Sequence, residues 1–115
     1  PDDKKRSAYH CSVCGAFITD SGAFININGA NRHSFVNPAG IRCNFMTFVG
    51  CENALEHPDL YEEHSWFPGY GWRFLNCAKC FQHLGWKYDA VTGKVHPTNF
   101  FGILLDAVES VELAE

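Results

Sequence analysis

YHCSVCG, residues 9–15, sets two cysteines three positions apart and closes with a glycine, and CAKC, residues 77–80, repeats the spacing late in the chain. A C-x-x-C pair on a tight turn directs two thiolates to one side, so two such turns can meet on a single tetrahedral ion. Cys11, Cys14, Cys77 and Cys80 are therefore expected to hold one zinc ion (Zn2+). A disulfide framework is the competing reading, but small secreted domains space their cysteines as staples rather than as two knuckles. Four thiolates saturate the ion and leave no place for water or substrate, which makes the metal structural. The 62 residues between Cys14 and Cys77 exceed the usual zinc-ribbon spacing. By analogy with a crosslink, closing a loop of that length removes about 4 kcal/mol of unfolded-state entropy before any coordination energy. His10 and His83 lie near the knuckles in sequence, as candidate substitute ligands, donors to the sulfurs, or ordinary packed histidines.

The chain has 115 residues, 46% of them hydrophobic and 15% aromatic. That is one domain with enough apolar surface for a core, although a domain this small often needs a staple. The opening PDDKKRSA reads as a flexible tail over 1–8, leaving a single ligand-binding domain over 9–115. No run approaches the 18 or so apolar residues of a membrane span, and no charged-then-apolar leader opens the chain. A cytoplasmic protein without a membrane partner is expected. The formal charge is -4, and the basic cluster Lys4-Lys5-Arg6 lies in the tail. Nucleic-acid binding is thereby disfavoured.

Between the knuckles the pattern is that of short antiparallel strands. Residues 16–19 precede a turn at 20–22. Phe24, Asn26 and Asn28 alternate with Ile25 and Ile27 in a strand-like period that stops at Asn28-Gly29, a strong turn signal. Strands are expected over 32–36 and 41–49, separated by Asn37-Pro38-Ala39-Gly40. Residues 52–63 read as an irregular connection with at most one helical turn. Further strands are expected over 72–76 and 84–88, with a hairpin turn at 89–94. Residues 100–113 suit one or two strands, with a helix over 103–113 as the competitor. Cys43 and Cys51 are expected as buried strand residues.

EHSWFPGYGW, residues 63–72, packs Trp66, Phe67, Tyr70 and Trp72 onto a segment broken by Pro68, Gly69 and Gly71. In the strand around Trp86, residues Leu84, Trp86 and Tyr88 share one face. If that face meets the aromatic loop, Trp66, Trp72, Trp86 and Tyr88 form a box, although aromatics of this number also make an ordinary core. Tryptophan carries an N–H that needs a partner, so a glycine-rich loop is a poor place to bury it for stability alone. Such a box accepts a cation by cation–π attraction, with Glu62, Glu63 and Asp89 available as rim carboxylates. It also accepts a small flat ring, whose polar edge the backbone of His64, Ser65 and Trp66 would satisfy.

Together, Y-H-C-x-x-C (9–14), F-V-N-P-x-G (35–40), E-H-S-W-F-P-G-Y-x-W (63–72), C-x-x-C (77–80) and H-L-G-W-K-Y (83–88) resemble the thalidomide-binding, or CULT, domain family of cereblon. The resemblance spans roughly residues 9–108 and, within the family, is closest to the single-domain bacterial cereblon homologue. It implies a mainly β fold, two antiparallel sheets meeting at a steep angle (a β-tent) pinned by the four-cysteine zinc site. It implies that Trp66, Trp72 and Trp86 cage a glutarimide ring. Tyr88 stands where animal members have phenylalanine, so ring preference could differ. Imide recognition is implied for the carbonyl and side chain of His64 and the backbone N–H of Trp66, with Ser65 between them. Asn37 and Pro38 match the rim, whereas the histidine that follows in the family is Ala39 here, which puts contacts to large substituents in doubt. The implied guests are cyclic imides, including cyclised C-terminal Asn or Gln on proteins, and uracil-like rings. Eukaryotic members serve a ubiquitin ligase through an additional Lon-like domain, and no segment of these 115 residues matches it.

Two rivals remain on sequence grounds. An aromatic-cage reader of methylated ammonium groups would need a rim carboxylate such as Glu63. A methionine sulfoxide reductase of the B type shares paired C-x-x-C turns, and Arg42-Cys43-Asn44 resembles part of its nucleophile motif. The motif here precedes the second knuckle, and no cysteine follows Cys80. A non-enzyme is therefore expected.

Overall fold

A computed structural model describes residues 6–113. Nine strands run in chain order: β1 (Ser7–Cys11), β2 (Phe17–Asp20), β3 (Arg32–Val36), β4 (Arg42–Phe48), β5 (Ala54–Glu56), β6 (Tyr70–Cys77), β7 (His83–Ala90), β8 (Asn99–Leu104) and β9 (Val108–Glu112). They form two antiparallel sheets, a small one of order β2-β1-β9 and a large one of order β3-β4-β8-β7-β6-β5. The described residues contain two 3-10 turns, Ser21–Ala23 and Leu105–Ala107, and no α-helix.

Strand β4 lies inside the large sheet, and Phe45, Met46, Thr47 and Phe48 are all buried, as a strand covered on both faces requires. Two core clusters result. One, under the small sheet, joins Tyr9, Ile18, Phe48, Leu75, Leu84 and Ile103. The other, under the aromatic loop, joins Ile27, Phe45, Phe67, Tyr70, Tyr88 and Phe100.

Three expectations are corrected, and the choice left open at the C-terminal end is decided for strands. Residues 1–5 of the expected tail lie outside the described residues, but Ser7 and Ala8 belong to β1, where they pair with Glu112 and Val111. The ordered domain therefore starts before residue 9. The strand-like period over 24–28 forms no strand. Phe24 makes a single bridge to Phe48, and Ile25 bonds Thr47 through its backbone, while Asn28 (φ 54°) and Gly29 (φ 88°) close a tight turn between Ile27 and Ala30. The irregular connection over 52–63 contains β5, which extends β6 at the sheet edge, and no helical turn. At the C-terminal end, strand pairing overrides helix propensity. Phe100 and Ile103 of β8 enter the core, and β9 pairs residue by residue with β1.

Candidate functional site

The two knuckles are built alike. In the first, the Cys11 N–H donates to the Ala16 carbonyl and the Gly15 N–H to the Cys11 carbonyl, at 2.8 and 2.9 Å. In the second, the Cys77 N–H donates to the Gln82 carbonyl and the Phe81 N–H to the Cys77 carbonyl, also at 2.8 and 2.9 Å. The fifth residue of each turn is left-handed, Gly15 at φ 80° and Phe81 at φ 67°. Glycine adopts that conformation freely; Phe81 does so at a cost.

The four Sγ atoms lie within 4.8 Å of one another, with Cys11–Cys80 at 3.6 Å and Cys14–Cys77 at 3.7 Å. A tetrahedron with metal–sulfur bonds of about 2.3 Å has sulfur–sulfur edges of about 3.8 Å, so the set fits zinc. The surrounding donors suit thiolates. The backbone N–H of Lys79 points to Cys77 Sγ at 3.4 Å, and Gln82 Nε2 points to Cys11 Sγ at 3.3 Å while bonding the Ala107 carbonyl at 2.9 Å. Burial pushes the Cys11 thiol up, but hydrogen bonds from the Cys14 and Val13 backbone more than reverse it, to about 7. Bound there, the ion would staple the β1–β2 end of the small sheet to the β6–β7 turn of the large one. His10 is outside the sulfur cluster and braces the first knuckle, its Nδ1 donating to the Gly15 carbonyl at 3.0 Å.

At the other end of β6 and β7, the antiparallel register sets Trp72 opposite Tyr88 and Phe74 opposite Trp86. These four side chains share one face, and the loop after residue 63 folds over it. The Trp72 Nε1–H donates to the Glu63 carbonyl at 2.8 Å and pins the start of that loop. Trp66 stacks on Phe35 (5.1 Å, 9°) and meets Trp86 edge to face (5.3 Å, 85°). Ser65 turns the loop, its hydroxyl bonded to the Phe67 carbonyl at 3.1 Å. Phe67 then plugs the core against Tyr88 and Phe100.

The result is a cavity of about 300 Å³ lined by Trp66, Trp72 and Trp86 with Tyr88 beneath them, by Phe74 and His83 along the strands, and by His64, Asn37 and Pro38 at the rim. Ser65 borders an adjoining groove with His64, Trp66, Asn37 and Pro38 instead. Tyr88 is 2% exposed and packs parallel to Phe100 at 4.9 Å, so it is a floor belonging to the core more than a wall. Burial pushes its hydroxyl pKa upward, and Cys43 adds to the effect. His64 is left-handed at φ 58°, an uncommon conformation for a residue with a side chain. Asn37 shapes the β3–β4 turn, its Oδ1 accepting from the N–H groups of Ala39 and Ile41 at 3.0 and 2.9 Å.

Two lining residues were not assigned to the cage from the sequence. Phe74 follows Trp72 by two, so strand period alone could have placed it. His83 could not be found that way, because strict alternation puts it opposite Trp86. The ladder slips between Leu75 and Asn76, where Leu75 faces Gly85 and Asn76 faces His83. Leu84 is thus an extra residue, and the bulge turns His83 to the Trp86 side. Cys43 and Cys51 lie away from both sites. Cys43 is buried in β4; Cys51 lies on a connection and packs against the core under the small sheet. Burial raises both thiol pKa values, that of Cys51 to about 12.

A metal-stapled β domain with an aromatic cavity at the opposite end of its central hairpin is the class this structure defines. Residues 7–115 match the Yippee-Mis18 family, described as Yippee zinc-binding/DNA-binding and Mis18, centromere assembly, and the chain belongs to that family. Cereblons are among its individual relatives. The chain is 43% identical to the protein cereblon of Drosophila willistoni over 118 aligned positions, which is 97% of this chain and 19% of that protein. It is 35% identical to the protein cereblon of Danio rerio over 77 positions, 65% of this chain and 17% of that protein. The domain is cereblon-like, and the chain spans less than a fifth of the length of these relatives.

Proposed function

We propose that the cavity is a binding site for a small neutral cyclic imide, such as the glutarimide ring of thalidomide-type compounds, a cyclised C-terminal Asn or Gln, or a uracil-like ring. One observation carries this reading: three indoles and Tyr88 enclose the cavity, and none of its lining residues is a carboxylate. A cage for methylated ammonium would be stabilised by a negative rim, and Glu62, Glu63 and Asp89 all lie outside the lining. Asp89 instead pairs with Arg73 at 2.8 Å and Lys87 at 3.3 Å. An imide presents acceptor, donor and acceptor in a row, which the His64–Trp66 backbone would complement. The indole N–H groups of Trp66 and Trp86 have no protein acceptor among the described residues, whereas that of Trp72 is committed to the loop.

The domain acts by binding and not by catalysis. A cysteine nucleophile needs a thiolate, and burial keeps Cys43 and Cys51 as thiols. The same reading disfavours nucleic acid, because the chain carries a formal charge of -4 and no lysine or arginine lines the cavity. It places the domain in the cytoplasm, where four zinc thiolates stay reduced. Titration of tryptophan fluorescence with glutarimide, N-methylglutarimide and a trimethylated lysine peptide tests it. Glutarimide alone should quench, since methylation removes the imide donor. A response to the peptide alone would replace the imide by a cation.

A further inference from the structure

His83 is part of the cage wall, yet nothing in the imide reading uses it. Its Nε2–H donates to the Gly85 carbonyl at 2.9 Å, which fixes the neutral tautomer and leaves Nδ1 without a protein partner among the described residues. Its ring meets Trp86 at 5.4 Å and 82° and Phe74 at 5.8 Å, while its outer edge stays open to solvent. The bulge at Leu84 that puts it there depends on Gly85, at φ 149°, where a Cβ would lie 2.0 Å from the Gly102 carbonyl oxygen.

We propose that His83 is a specificity-determining wall of the cage: as neutral imidazole it completes an uncharged aromatic box, and as imidazolium it turns guests away. The proposal rests on the cavity being a ligand site, as argued above. The titratable groups facing His83 are few. His57, from the β5–β6 connection, bonds Asn76 Oδ1 at 2.9 Å and packs on the same Phe74 ring. His64 stands at the rim and Tyr88 on the floor, and the β3–β4 turn contributes only Asn37 and Pro38. No carboxylate in the lining compensates a proton on His83. Desolvation among the rings lowers its pKa, the Gly85 carbonyl opposes this, and His57 adds to it. His83 is therefore neutral at neutral pH.

A guest seated against Trp86 and Phe74 covers the side of the His83 ring that lines the cavity. Guest and proton then exclude one another, and each unit by which the guest depresses the histidine pKa is about tenfold in affinity between neutral and acid pH. The imidazolium also competes for the ring faces that the guest would use.

The test is the affinity of the zinc-loaded protein for glutarimide at pH 7.5 and 5.5, with near-UV dichroism confirming the fold at both. Wild-type affinity should fall in acid, by less than about tenfold because the His83 pKa already lies below the ordinary histidine value. His83→Gln should remove this slope, and His57→Gln should keep it. A flat wild-type profile, or a slope that survives His83→Gln, overturns the proposal. If glutarimide does not bind at pH 7.5, the imide reading fails on its own, and the trimethylated lysine peptide serves as probe at the same two pH values. A loss in acid that His83→Gln removes then supports the wall, and a slope it retains overturns it. Binding of neither probe overturns both.

Discussion

The zinc corner and the aromatic cage sit at opposite ends of the β6–β7 hairpin, and both join segments far apart in the chain. They close in opposite ways. At the corner, four sulfurs approach to tetrahedral edge lengths and two matched turns each satisfy their own backbone groups, so little is left to bind a guest. At the cage, Trp66 and Trp86 meet edge to face at 5.3 Å beside about 300 Å³ of open space, and part of the tryptophan surface stays exposed. An end that is saturated holds the fold, and an end that is left unsaturated is available for binding.

If that contrast is right, the largest effect belongs to the corner. Chelation of the metal, or Cys77→Ser, removes a closure of about 4 kcal/mol together with the coordination energy. A domain of this size has about 5–15 kcal/mol of stability in all. Loss of near-UV dichroism and of the cooperative melt is expected; an intact melt after verified metal removal would show that the sheets hold without their staple. Next comes Gly85→Ala. The added Cβ would meet the Gly102 carbonyl oxygen at 2.0 Å, in a conformation that favours glycine. A cost on the order of 3 kcal/mol is expected, seen as a fall in melting temperature of roughly 10 °C or more. A wild-type melt would mean that the bulge can relax without disturbing the hairpin.

The two ends also differ in how far they could be read in advance. The corner was fully legible, because C-x-x-C is a local pattern and its two copies need only meet. The indoles of the cage were legible as residues, since Trp72 and Trp86 fall on strand period and Trp66 on a marked loop. Phe74 needed only the same period, whereas His83 depended on a bulge that no local pattern announces. The role of Tyr88 as floor depends on Phe100 and Phe67 arriving from elsewhere. The period over 24–28 misled for a related reason. Alternation reports a residue's neighbours along the chain, but a strand needs a continuous partner, and here the Asn28-Gly29 turn folds the segment back on itself.

At the cage, effects on binding and on folding should separate. Trp86→Ala removes a wall that touches Phe45 and Trp66 but is only half-buried, so about 2 kcal/mol of stability and most of the imide affinity should go. Full affinity in a folded Trp86→Ala protein would make the indoles core and not cage.

Tyr88→Phe should do least of all. The ring is held by Phe67 and Phe100, contacts that phenylalanine keeps, and the hydroxyl makes no hydrogen bond to protein among the described residues. Removing a hydroxyl that has no protein partner and is not itself fully buried should change stability by less than about 1 kcal/mol, in either direction. Imide affinity should change by no more than a few-fold, because only the edge of this floor faces the guest. A loss of affinity as large as that of Trp86→Ala would mean that the Tyr88 hydroxyl itself bonds the ligand. The floor would then belong to the binding site more than to the core, and the division between a structural end and a binding end would have to run through Tyr88 itself.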